Sequence, residues 1–242
     1  MAQNIYDRPD FFAGYSDLSR SVRGLDGASE WPAVRALLPD LAGKRIVDLG
    51  CGFGWFSRFA VRQGAESVLA LDISENMIAR ARADTAEAAI TYEIADLEHL
   101  ELARASFDFA YSSLALHYIE DFAGLVATVH QALLPGSHFV FTIEHPIFMA
   151  PTRPDWTTDA EGRRIWPLDR YSVEGARTTD WLASGVVKQH RKLATTLNTL
   201  IAAGFSIRHV EEWSPNDEEL RDNPDWATEM DRPMFLLIST QR

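Results

Sequence analysis

Short apolar runs alternate along the first 145 positions with stretches whose apolar side chains recur at helical spacing. The runs predict strands at 46–49, 67–71, 90–94, 107–112 and 138–143. Helices are predicted at 55–63 and 75–84, and at 121–134, where Pro135-Gly136 ends the pattern. Strands separated by helices connect by right-handed crossovers, so the pattern predicts a largely parallel sheet covered on both faces.

Beyond the fifth strand the periodicity fades. Residues 146–187 hold three tryptophans (Trp156, Trp166, Trp181) and scattered prolines, the texture of a lid or binding loop. A helix is predicted over 188–203, closed by Gly204, followed by strands at 206–212 and 234–240. The acidic stretch 214–233 reads as their linker. The N-terminal residues 10–15 are aromatic and expected to be part helical, with another helix at 31–38. The expected organisation is one domain over 1–242, with a cap segment at 1–40 and a lid at 146–187.

Composition narrows the partners. A formal charge of −12 argues against nonspecific nucleic-acid binding, which draws its affinity from Lys and Arg on phosphates. The single cysteine, Cys51, excludes an internal disulfide framework and a cysteine-based zinc site. No apolar run reaches membrane-spanning length and the polar start is no signal peptide, so the expected compartment is the cytoplasm. A homodimer stays open as an assembly.

The densest chemistry lies at 46–54, a strand running into Gly50, Gly52 and Gly54, with Asp48 two residues ahead of the first glycine. Glycines there let the backbone turn sharply and a ligand approach it. A dinucleotide loop wants a small residue at the sixth motif position, where this chain has Trp55. Asp72, ending the second strand, can accept two ribose hydroxyls, a device that nicotinamide enzymes share. Ser74 before Glu75 already serves as a helix cap, which leaves Asp72 for another task. Asp96 ends the third strand, where an ordinary turn aspartate is the competing reading.

The glycine spacing, with its preceding acid, resembles the first motif of the class I S-adenosylmethionine-dependent methyltransferases. The resemblance continues in order through Asp72, through Asp96-Leu97, through the 107–119 segment from Phe107-Asp108 to His117, and through Leu133-Leu134-Pro135-Gly136. Ser137 stands where that family has a second glycine. A wider likeness to a group of bacterial small-molecule methyltransferases rests on Ile5-Tyr6-Asp7, Phe11-Phe12-Ala13-Gly14-Tyr15, Glu144-His145-Pro146 and His190-Arg191. It carries no acceptor with it. The resemblance implies an α/β, Rossmann-like, seven-stranded and mostly parallel sheet with its last strand antiparallel, helices on both faces and a small lid. It also implies S-adenosylmethionine as cofactor and S-adenosylhomocysteine as product. Asp48 and the glycine loop would lie at the methionine end, Asp72 at the ribose, and Asp96 and the Leu97 amide at the adenine. Ile73, Met77, Ser112 and Tyr15 complete the expected cofactor wall, Tyr15 as an aromatic face for a sulfonium.

The acceptor should sit beyond strands four and five. His117 is the candidate base or acceptor-positioning group, since histidine titrates near neutrality. Tyr118, Glu144 and His145 are expected beside it as substrate contacts. Tyr171 and His190 are weaker candidates, with lid packing and a solvated helix face as the alternatives. Glu144-His145 lacks the further ligands of a metal site, so no metal is expected. Transfer to a small molecule at O, N or C is the favoured function. RNA or protein methylation, and a cofactor-binding regulatory protein without catalysis, are the alternatives.

Overall fold

The computed structural model describes residues 3–242. Its N-terminal segment is a string of short helices: a 3-10 turn at Ile5–Asp7, then α1 (Pro9–Ser16), α2 (Ser19–Val22) and, after a second 3-10 turn, α3 (Trp31–Leu37). Leu38 is extended because Pro39 follows it, which ends the helix.

β1 (Arg45–Leu49) is buried along almost its whole length, as a central parallel strand must be. The glycine loop then delivers the chain to α4 (Trp55–Arg62). β2 (Ser67–Asp72), α5 (Glu75–Ala83), β3 (Ile90–Ile94), β4 (Phe107–Ser113), α6 (Phe122–Ala132) and β5 (Leu133–Glu144) complete the alternation. Ser74 and Asp121 cap α5 and α6 by accepting from the amides of Met77 and Gly124.

The helix predicted to 134 stops at Ala132, and β5 starts at Leu133, earlier than the predicted 138. Pro135 disfavours helical backbone at the residue before it. Gly136 takes φ +84° and gives its amide to the Arg242 carbonyl, so the turn is built into the strand as an irregularity.

α7 (Pro146–Met149) opens the lid. The hairpin β6 (Thr157–Thr158)/β7 (Arg164–Ile165) and the ribbon β8 (Gly175–Thr179)/β9 (Val186–His190) follow. Residues 188–190, predicted helical, are therefore strand, and α8 runs only over Leu193–Ala202. β10 (Ser206–Glu212), α9 (Asp217–Asp222), a 3-10 turn at Pro224–Met230 and β11 (Phe235–Gln241) close the chain. The predicted linker thus holds a helix, started by a capping box between Asn216 and Glu219.

The main sheet has the order β10-β11-β5-β4-β1-β2-β3, with β11 antiparallel to both neighbours and the other pairs parallel. This is the expected Rossmann-like, seven-stranded sheet. Alternate residues of each strand feed two cores. Phe139 and Phe141 face α6 and α8, while Val140 faces the side holding α3, α4 and α5. Full burial of each such phenylalanine contributes about 1.5–3 kcal/mol. Chain order reverses between β1 and β4, and the carboxyl ends of strands beside such a switch point leave a crevice.

Candidate functional site

That crevice is the mouth of a cavity of about 960 Å³. The glycine loop forms one wall. Gly50, Gly52 and Gly54 all have positive φ (75°, 52° and 73°). A Cβ on Gly50 would lie 2.3 Å from Cβ of Ala115, and one on Gly54 would lie 2.1 Å from the Tyr92 hydroxyl. Gly54 therefore packs the loop on β3 and, unlike Gly50 and Gly52, does not line the cavity. Four of the loop's amides are committed within the protein. Gly50 and Cys51 donate to the Leu71 carbonyl, Gly54 to the Cys51 carbonyl, and Gly52 to Oδ2 of Asp72 at 2.9 Å. A phosphate cradle needs free amides, and these four are not available to a pyrophosphate.

Two buried carboxyls face the same wall. Asp48 accepts from the Ser57 hydroxyl at 2.6 Å. Burial pushes its carboxyl up to about 7, against the lowering effect of that bond. Asp72 accepts from the amides of Gly52 and Ser74, and burial again dominates, holding it at about 6. Each oxygen keeps a lone pair for a ligand. Ile73, Met77, Asp96 and Leu97 line the far end. Asp96 also accepts from the Glu98 amide, capping a 3-10 turn, so the structural role competing for it is real.

The N-terminal segment roofs this half of the cavity. Asp7 accepts from the Ser74 hydroxyl and from the amides of Glu75 and Asn76, which docks the segment on the start of α5. Tyr15 lies edge-on to Phe53 and to Tyr6, and both tyrosines line the cavity.

The other half lies beyond β4 and β5. Leu114, just past β4, is left-handed at φ +53° and lies on the wall, a strained turn of the kind found at ligand sites. His117 is buried, and its Nδ1 accepts from the Glu144 amide at 3.3 Å. A neutral ring with an accepting Nδ1 carries its proton on Nε2. Burial first, then the charges of Lys188, Arg191 and Arg20, push this imidazole well below its usual range. The side chain of Glu144 accepts from Lys188 Nζ at 2.5 Å. Lys188 is only 3% exposed, with Nζ 4.8 Å from the Trp181 ring centroid and 6.0 Å from that of Tyr118. The Tyr118 and Tyr6 hydroxyls are 3.2 Å apart, joining lid side and cap side.

Besides Gly54, four expected contacts lie elsewhere. The Ser112 hydroxyl donates to the Leu49 carbonyl inside the sheet, and Ser113 and Leu114 form the wall in its place. His145 Nδ1 caps α7 by accepting from the Ile147 amide, and Nε2 donates to Glu212, so it works as a bracket behind the cavity. His190 Nε2 donates to the Tyr171 carbonyl, and the Tyr171 hydroxyl accepts from the Leu193 amide. Both hold the β8/β9 ribbon to α8. Two of the lid tryptophans are also engaged away from a ligand, since the Arg232 guanidinium lies 4.4 Å from the Trp166 ring centroid and 5.3 Å from that of Trp156.

Lys188 was not expected in the site. The inward positions of β9 are Val186, Lys188 and His190, a strand alternation disguised because two of its three buried residues are polar. Among the described residues no group of three or more His, Cys, Asp or Glu is placed to hold a metal ion, and no helix is long and apolar enough to cross a membrane.

Comparison with known proteins agrees with this geometry. The family described as "Methyltransferase domain" matches residues 47–141. An uncharacterized protein of Haemophilus influenzae is 33% identical over 99% of this chain and 97% of its own length. The crystal structure of an S-adenosylmethionine dependent methyltransferase from Mesorhizobium loti is 65% identical. It covers 90% of this chain and 100% of its own, with a TM-score of 0.87. A malonyl-[acyl-carrier protein] O-methyltransferase of Enterobacter lignolyticus is 39% identical over 46% of this chain and 43% of its own length, so that likeness is partial.

Proposed function

The chain belongs to the S-adenosylmethionine-dependent methyltransferases, and we propose that it methylates a small molecule bound beside Glu144, Lys188 and His117. The observation that carries this reading is the roofed cavity itself. Its volume of about 960 Å³ suits a cofactor and a small acceptor together, and the N-terminal cap and the lid's Trp181 close over it. A macromolecular acceptor needs an open approach, and nucleic acid would meet a chain of formal charge −12.

The wall at Asp48, Asp72 and the glycine loop fits the cofactor chemically. Two desolvated carboxyls gain from a ligand that brings cationic charge and hydroxyl donors. S-adenosylmethionine supplies an electrophilic methyl on a cationic sulfur. In this reading Asp72 accepts from the ribose hydroxyls, Asp48 acts near the amino group, and Leu97 and Asp96 meet the adenine. Ile73 and Met77 pack the nucleoside, and Tyr15 covers the cofactor from the cap. His117 serves as a hydrogen-bond donor that positions the acceptor, because its Nδ1 is already engaged.

Incubation with methyl-labelled S-adenosylmethionine and a mixed bacterial extract tests the reading. Label is expected in the low-molecular-weight fraction. Label confined to RNA or protein contradicts it, and cofactor binding without any transfer favours a regulatory protein.

A further inference from the structure

Resting on that reading, we propose that Glu144 is the general base and Lys188 the oxyanion partner for an oxygen nucleophile, the acceptor being a planar hydroxyl compound of the phenol class. The two residues come from different parts of the fold. Glu144 ends β5, whereas Lys188 is carried in by the lid strand β9. Their contact is an ion pair between a buried Lys188 and a largely buried Glu144, Nζ to Oε1 at 2.5 Å, and both residues line the cavity. Replacing a buried ion pair with apolar packing is often neutral or stabilising, so stability alone does not account for one on a cavity wall.

The remaining hydrogen-bonding capacity of the group selects the reacting atom. Glu144 Oε2 has no partner among the described residues and is left as an acceptor. The Glu144 amide occupies His117 Nδ1, which fixes Nε2–H as a donor, also without a partner among the described residues. Lys188 has two further N–H donors. The wall therefore offers one acceptor and three N–H donors, two from Lys188 and one from His117. A neutral amine has a single lone pair, which it must spend on the methyl carbon, and the donors would compete for it. A hydroxyl oxygen has two lone pairs, one to attack and one to accept from Lys188 or His117, while its proton faces Glu144. A carboxylate brings no proton to Glu144 and would set two carboxylates together.

In the step, the acceptor O–H bond breaks and its proton passes to Glu144 Oε2. The oxygen forms the new O–CH3 bond as the methyl–sulfur bond breaks, with that bond's electron pair returning to sulfur. Lys188 balances the negative charge on oxygen before attack. The flat acceptor follows from the aromatic walls: Trp181 and Tyr118 flank the Lys188 ammonium, and Phe148 lines the same space.

The test uses full-length protein loaded with S-adenosylhomocysteine and titrated with 4-nitrophenol, whose ionised form absorbs visible light. At about pH 6.5 the bound probe is expected to show at least about threefold more phenolate than in buffer. Lys188→Met is expected to abolish the excess, and Glu144→Gln to keep it. The same-shaped amine 4-nitroaniline is expected to bind at least about tenfold more weakly, a comparison that needs no variant. A phenolate fraction equal to that in buffer, or equal binding of the aniline, overturns the proposal. Failure of S-adenosylhomocysteine to bind in the same samples would instead overturn the cofactor-site reading beneath it.

Discussion

The Gly52 amide donates to Oδ2 of Asp72 at 2.9 Å, so the glycine loop after β1 is tied to the carboxyl end of β2 by one of the acids expected to hold the ribose. That bond couples loop shape to the protonation of a carboxyl whose burial raises it to about 6. Asp48, at about 7, lies on the same wall.

A pH dependence follows. Both carboxyls are raised in the folded protein, so the ligand-free fold binds more protons than the unfolded chain between about pH 4 and 7. Their contribution to stability is full below the ordinary aspartate range and is lost as pH rises through 6 and 7. A cofactor amino group and ribose hydroxyls favour the ionised acids. Affinity for S-adenosylhomocysteine should rise with pH through this window, by at most roughly tenfold per pH unit for each acid that must ionise. Calorimetry in buffers of different ionisation enthalpy should detect proton release. Proton uptake on binding would contradict the assignment.

The loop geometry makes a paired prediction. Gly50→Ala should lower stability through its left-handed backbone, about 1–2 kcal/mol, and through the 2.3 Å approach to Cβ of Ala115. Adding Ala115→Gly removes the approach and should recover part of the loss in thermal melts, leaving the backbone cost. Strict additivity of the two changes would show that the contact does not matter.

Arg232 ties the lid hairpin to the 3-10 turn at Pro224–Met230. It pairs with Glu229 at 2.6 Å and lies against Phe148, Trp156 and Trp166. Arg232→Ala leaves Glu229 buried without its partner and should cost about 3–5 kcal/mol. Adding Glu229→Gln should restore much of that. Limited proteolysis of the single variant should cut within 153–170 before anywhere in the sheet.

His117 provides a kinetic contrast. As a donor held neutral it should give no titration limb near its usual range. Once an acceptor is in hand, His117→Ala should lower kcat/KM by about tenfold, short of the 10²–10⁴ expected on losing a general base. A profile whose acid limb disappears in the variant would restore His117 as the base.

The parallel sheet was readable because central strands buried on both faces are continuous apolar runs, and because Gly50, Asp72 and Asp96 fall at strand ends. The lid was not. The inward face of β9 carries Lys188 and His190, whose polarity hides a strand from any periodicity test, and the site's ion pair was missed with it. His145 was read as a ligand contact from its place after the fifth strand, and His190, a weaker candidate, from the stretch beyond the lid. Only tertiary contacts show that their ring nitrogens serve the Ile147 amide, Glu212 and the Tyr171 carbonyl. Trp156 and Trp166 lie in the stretch read as a lid or binding loop, and nothing local shows that Arg232, far along the chain, covers their faces.

The central claim, that this cavity holds S-adenosylmethionine through Asp72 and the glycine loop, is tested most directly by calorimetric titration of S-adenosylhomocysteine into wild type and Asp72→Ala. One site per chain is expected in the wild type, with affinity falling by at least about tenfold in the variant, consistent with losing hydrogen bonds to a charged group. Equal affinity in the two proteins, or heat from NAD and none from S-adenosylhomocysteine, would contradict the account.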